Sequence, residues 1–236
     1  EALTEWIPRD EAYLELARCY ATRGRLTDVD EMILDDDEGE EIRATALTRA
    51  CRDRHMDIVK GLLAAGADCN KSEHSDDGYH CTPLMLAAID GHVDLIDVLV
   101  AAGADVDKVT YYSPLSCAAM CGQMEAAKAL LKAGADTEAV GTEGMTPVLW
   151  AARDGRVEVL KLLMDAGANK EEVNNVGDTP LMIATDYGEV EVVKVLLENG
   201  AEVEGHGEKG PTPLAIAKSA GRGGVVRLLI GAGAKR

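Results

Sequence analysis

Residues 146–168 read TPVLWAARDGRVEVLKLLMDAGA, and this stretch decides the fold. It returns as TPLMIATDYGEVEVVKVLLENGA at 179–201 and as TPLAIAKSAGRGGVVRLLIGAGA at 212–234. The prolines of the three copies are Pro147, Pro180 and Pro213, so each step is 33 residues (180 − 147 and 213 − 180). A period of this size marks a chain of stacked supersecondary units.

Each copy carries the signals of two short helices. Thr146 and Pro147 open the first: the hydroxyl is suited to cap exposed amides, and proline's missing N–H costs nothing in a first turn. Val148, Leu149, Trp150, Ala151 and Ala152 continue it, and the alanines permit close backbone approach. Gly155 suits the helix end, where positive φ is common. Val157, Val159, Leu160, Leu162 and Leu163 recur at helical spacing and predict an apolar stripe on a second helix that ends at Gly167. One such pair has too little core to stand alone, so neighbours must stack to bury the stripes.

The recurring Thr-Pro-Leu, Ala-Ala, Gly, Leu-Leu and Gly-Ala pattern resembles the ankyrin repeat family. The resemblance implies an all-α solenoid of stacked helix-turn-helix units with β-hairpin finger loops. It also implies a concave face, made of fingers and first helices, that binds other proteins. Six units follow, at about 45–70, 82–107, 113–138, 146–171, 179–204 and 212–236. Ala46 replaces proline in the first. The second connection, Lys71–Cys81, is longer than the seven residues Ala139–Met145, and the third, Lys108–Tyr112, is shorter. These lengths predict an irregular stack edge at that junction.

Residues 1–44 differ. They hold 14 acidic and 5 basic residues, a net charge of −9. Tyr13, Leu14, Ala17, Tyr20 and Ala21 suit one helix; Leu26, Val29, Met32 and Ile33 suit a second. Together they read as a degenerate capping pair, since terminal units are atypical. The run DDDEGEE at 35–41 reads as a solvated loop. At the other end, Lys218 replaces an alanine of the first helix, while Val225, Val226, Leu228, Leu229 and Ile230 stay as apolar as an interior unit.

The whole chain has 236 residues and a net charge of −18. That charge disfavours nucleic acid, whose binding needs basic residues against phosphate, and favours neutral or basic protein partners. No apolar run approaches the ~20 residues that span a bilayer, so membrane insertion is not expected. Only 3% of residues are aromatic and none is Phe. A thin core of Ala, Val and Leu tolerates this. Six cysteines without a CxxC pair suggest free thiols in a reducing, intracellular, soluble setting. The chain begins at Glu1 rather than Met, which leaves room for a removed targeting segment, and so for an organellar as well as the default cytoplasmic site.

Motifs for catalysis are lacking: there is no G-x-S-x-G, phosphate-binding glycine loop or H-E-x-x-H. His74, His80 and Cys81 lie close in sequence but lack a fourth metal ligand. No catalytic, cofactor-binding or metal-binding residues are assigned, and no enzyme activity is expected. The expected function is a non-catalytic protein–protein interaction module, a scaffold or adaptor. A structural accessory subunit of a larger assembly competes with it, and a regulatory domain of a larger enzyme is a third reading. Family resemblance places the variable contact positions on the fingers and just after Ala-Ala. Here these give Tyr79, His80, Tyr111, Tyr112, Met120, Met145, Arg153, Asp154, Asp186 and Tyr187 as protein-binding candidates. Aromatic, Met and Arg side chains are typical interface anchors. The tyrosines at 79, 111 and 112, with Met120 behind them, mark the expected centre. Trp150 reads as core. Asn70 reads as a turn residue.

Overall fold

A computed structural model describes residues 34–35, 41–42, 45–72, 80–205 and 211–235. Among them are twelve α-helices, numbered here α1 to α12, one 3-10 turn (Thr142–Gly144) and one pair of two-residue strands. The pair is β1 (Leu34–Asp35) and β2 (Glu41–Ile42), antiparallel, with Leu34 opposite Ile42 and Asp35 opposite Glu41. The acidic run read as a loop lies, apart from its two ends, outside the described residues. The proposed helices of 1–33 lie outside the described residues.

Two compact units divide the chain: Glu1–Ala87 with Asp94–Asp105, and Ala88–Val93 with Val106–Arg236. In the first, α1 (Ala46–Arg52) packs on α2 (Met56–Ala64). Leu47, Ala50, Ile58, Val59 and Leu62 form its core. The N-terminal part of α3 (Pro83–Asp90) and most of α4 (Val93–Ala101) belong to it as well. The turn after α2 is tied to the one after α4, where Asn70 Oδ1 accepts the Asp105 N–H at 2.8 Å. The turn-residue reading of Asn70 thus acquires a partner.

The second unit holds four successive helix pairs: α5 (Pro114–Cys121) with α6 (Met124–Lys132), α7 (Pro147–Arg153) with α8 (Val157–Asp165), α9 (Pro180–Tyr187) with α10 (Val190–Glu198), and α11 (Pro213–Ser219) with α12 (Gly223–Gly231). First helices pack in the order α5, α7, α9, α11 and second helices in the order α6, α8, α10, α12. The core is a thin layer between them: Leu115, Ala118, Leu149, Ala152, Leu181 and Ala184 from one side, Leu130, Leu160, Leu163, Val193 and Leu196 from the other. This is the stacked solenoid that the 33-residue period demands.

Side-chain caps explain the starts of the first helices in the second unit, with one departure. Ser113, Thr179 and Thr212 each accept the N–H three residues on. Thr146 makes no such cap, and its buried hydroxyl has no partner among the described residues. The apolar stripe also needs correction. Val159, Leu160 and Leu163 are fully buried, whereas Val157 and Leu162 are only partly buried. The buried stripe is narrower than the sequence spacing because a nine-residue helix turns only one edge to its neighbours. In the last unit Val225 and Leu229 are buried, Val226 and Leu228 are half-buried, and Ile230 is exposed.

Consecutive units are also stitched by side chains at a fixed offset. Asp107, Glu138, Glu171 and Glu204 each accept one backbone N–H of the following turn, from Asp136, Asn169, Glu202 and Lys235, at 2.7–2.9 Å. A second series reaches back to the ends of the first helices. Gln123 donates to Ile89 O, Arg156 to Met120 O and Arg222 to Asp186 O. Gly188 is required where Arg222 passes: its φ is +83°, and a Cβ there would meet the Arg222 Cδ at 3.0 Å.

Candidate protein-binding surface

The fingers of the second unit are hydrogen-bonded to one another. Tyr111 O accepts the Thr142 N–H at 2.8 Å and the Thr142 hydroxyl at 2.6 Å. One unit further on, Glu143 O accepts the Asn175 N–H at 2.9 Å. Each finger turns back on itself, with Gly141 N–H bonded to Met145 O and Asn174 N–H to Asp178 O. Close approach needs glycine. Gly144 has φ of +73°, and a Cβ on it would lie 2.7 Å from Asn175 N.

Behind the fingers, four side chains interlock. Tyr112 meets Trp150 edge to face, with ring centroids 5.2 Å apart and planes at 82°. The Arg153 guanidinium carbon sits 4.5 Å from the Trp150 ring centroid and 5.7 Å from that of Tyr187. One cation is thus shared by two aromatic faces, an arrangement favoured by the ring quadrupole and by Arg's weak hydration. Asp154 Oδ1 stands 3.3 Å from Arg153 Nε, close enough for an ion pair but without hydrogen-bond alignment. Trp150 is buried, as its place in the apolar run predicts, while Tyr187 at the outer end of the cluster is exposed.

Carboxylates flank this cluster. Asp178 is raised above the ordinary Asp range, chiefly by partial burial and further by repulsion from Asp186; a hydrogen bond with Asn174 opposes the shift. The Cys121 thiol, on the same run of first-helix ends as Met120, is raised mainly by burial.

Tyr112, Arg153, Asp154, Asp186 and Tyr187 fall in or beside the cluster. Tyr111 contributes its carbonyl to the finger lattice, and Met120 is half-buried with its carbonyl held by Arg156. Met145 is buried, because its loop folds under the Gly141 turn; it is not a surface anchor but supports the finger from beneath. His80 is half-buried and belongs to the first unit. Tyr79 lies outside the described residues. Trp150 and Arg153 join the cluster together: Trp150 meets Tyr112 one unit earlier and Arg153 meets Tyr187 one unit later, so the arrangement is hidden in the sequence.

Among the described residues no group of three or more His, Cys, Asp or Glu is placed to hold a metal ion. Cys51, Cys69, Cys81, Cys117 and Cys121 form no disulfide with one another. None of the helices there is long and apolar enough to cross a membrane.

Stacked helix pairs, interlocked fingers and inter-repeat stitching define a repeat solenoid. The chain matches the family described as ankyrin repeats (3 copies) over residues 19–110, 47–141, 115–206 and 166–235, and it belongs to that family. Ankyrin repeats are in general protein–protein interaction modules and typically non-catalytic. No curated protein matches the chain.

Proposed function

We propose that the chain is a non-catalytic binding module that holds a protein partner on the face made by the fingers and first helices of its second unit. The observation that carries this is the Arg153 guanidinium shared between Trp150 and Tyr187. Arg, Trp and Tyr are the residues most enriched at interface hot spots, where a rigid, pre-ordered anchor loses little entropy on binding. Arg153 is held by its aromatic neighbours before any partner arrives, and Tyr187 stands exposed beside it. Tyr111, Met120, Asp154 and Asp186 stand with the anchor in the second unit; Tyr79 and His80 stay separate candidates of the first.

A neutral or basic partner surface suits the net charge of −18. The same face serves a scaffold or adaptor that works alone and an accessory subunit fixed in a larger assembly. The residue boundaries of the six units given above describe the binding scaffold in either case.

The test is capture of partners by the purified chain, with Arg153→Ala/Tyr187→Ala beside wild type and Lys194→Ala on the outer helix α10 as control. The proposal expects a partner retained by Lys194→Ala and lost by the double variant at unchanged thermal stability. Retention by the double variant would place binding elsewhere.

A further inference from the structure

Four side chains of the second unit stand in one register, 33 residues apart: Gln123, Arg156, Glu189 and Arg222. Each lies over the glycine that follows the first helix of the repeat before. A Cβ built on Gly91, Gly122, Gly155 or Gly188 would meet the Cδ of Gln123, Arg156, Glu189 or Arg222 at 2.9, 2.9, 2.8 or 3.0 Å. The distances agree, so the four side chains follow one path.

Three of them carry an N–H to the end of the first helix that they overlie. Gln123 donates to Ile89 O at 2.9 Å, Arg156 to Met120 O at 2.9 Å, and Arg222 to Asp186 O at 3.1 and 2.9 Å. Both arginines reach a carbonyl 36 residues back, and the same step from Glu189 leads to Arg153 O (189 − 153). A carboxylate has no N–H to give. Two acceptors therefore stand where the other three junctions pair a donor with an acceptor. Arg153 is the last residue of α7, and carbonyls at a helix end carry partial negative charge.

The chain's own cations near this place are engaged elsewhere. Arg153 lies over Trp150 and beside Asp154, Arg156 is on Met120 O, Arg222 is on Asp186 O, and Lys161 pairs with Glu158. Lys194 stands more than a turn further along α10. Glu189 precedes α10 without capping it, and among the described residues its carboxylate makes no hydrogen bond or ion pair. Glu189 and Gly155 are half-buried, and Val190 beside them is 41% exposed, an apolar rest for the stem of a long cationic side chain.

We infer that the Glu189 carboxylate and the Arg153 carbonyl receive an arginine side chain of a partner protein. A guanidinium is the group that the chain itself places at two sister junctions. Its fork of N–H donors serves a carboxylate and a carbonyl together, which the point charge of an ammonium does less well. The site lies at the ends of the first helices and goes beyond the reading of the finger face.

The probe is acetyl-Gly-Arg-Gly-amide, added to the whole chain and followed by carbon-detected NMR of the side-chain carboxyls. Its citrulline counterpart keeps the shape and loses the charge. The Glu189 carboxyl is expected to shift to saturation, with the arginine peptide bound at least fivefold tighter than the citrulline one. Glu158 and Glu191, on the outer helices, should not saturate in that range. Glu189→Gln supplies the amide that Gln123 uses. It should weaken the peptide at least fivefold, and it should melt about 2–4 °C above Glu189→Ala, the effect of one added hydrogen bond in a chain of this size. Equal affinity for the citrulline peptide, saturation of Glu158 or Glu191 in step with Glu189, or undiminished binding by Glu189→Gln would overturn the inference. So would a melting temperature of Glu189→Gln no higher than that of Glu189→Ala, since Arg153 O would then be out of reach. Loss of the peptide in Tyr187→Ala but not in Glu189→Gln would assign the arginine to the aromatic cluster, overturning the inference while leaving the proposed function standing.

Discussion

Leu163 and Leu162 are adjacent on α8, yet they should respond differently to truncation. Leu163 is fully buried and Leu162 only partly so. Leu163→Ala removes three carbons from a core shared with α6 and α10 through helix packing. Transfer alone accounts for about 2.4 kcal/mol at ~0.8 kcal/mol per methylene. The cavity left between rigid neighbours adds to this, so the total falls in the range of about 2–5 kcal/mol. Leu162→Ala loses roughly two thirds or more of the transfer term, about 1.5–2 kcal/mol, and adds no closed-cavity cost because solvent reaches the site. Urea unfolding followed by far-UV circular dichroism reads the difference. With a slope of about 2–3 kcal/mol per molar, Leu163→Ala should lower the midpoint by about 1 M or more, and Leu162→Ala by less, ~0.5–1 M. Equal shifts, or a larger one for Leu162, would refute the assignment of which edge of α8 faces the core. A Leu163 effect below ~0.5 kcal/mol would refute the stacked arrangement itself, since fully buried truncations cost more than that.

Other outcomes follow from single contacts. Thr179→Val removes a cap that accepts the Met182 N–H at 3.2 Å and should cost ~1 kcal/mol, whereas Thr146→Val removes a buried hydroxyl without a partner and should be neutral or stabilising by chemical denaturation. Asp178 should titrate above the usual Asp range by carbon-detected NMR, and Asp186→Asn should bring it down. Because the folded state raises this carboxyl, folding favours its protonated form: stability is lost as pH rises from the unfolded value through the folded one, and Asp178→Asn should stabilise at neutral pH with the gain shrinking in acid. Gly144→Ala should lower the melting temperature, because both the positive φ and the 2.7 Å approach to Asn175 exclude a side chain.

The repeat, the helix pairs and the glycine helix ends were legible because each rests on local spacing: 33 residues for the unit, Thr-Pro for its start, Gly-Ala for its end. Burial within a stripe was less so. Leu162 and Leu163 are equivalent by composition, and only the angle between stacked helices separates them. Met145 shares its residue type with surface anchors, and the turn closed by Gly141 decides that it faces inward. The Tyr112, Trp150, Arg153 and Tyr187 cluster joins three units, so no window of sequence contains it. Thr146 shows the converse: the capping residue is present by sequence, yet no cap is made.

The central claim, that protein binding occurs on the finger and first-helix face of the second unit, is most directly tested by site-specific photo-crosslinking. A benzophenone amino acid is placed at Tyr187 in one preparation and at Lys194, on the opposite helix layer, in another. The account predicts a covalent adduct with a bound protein from the Tyr187 position and none from Lys194. Crosslinking from Lys194 with none from Tyr187 would contradict it.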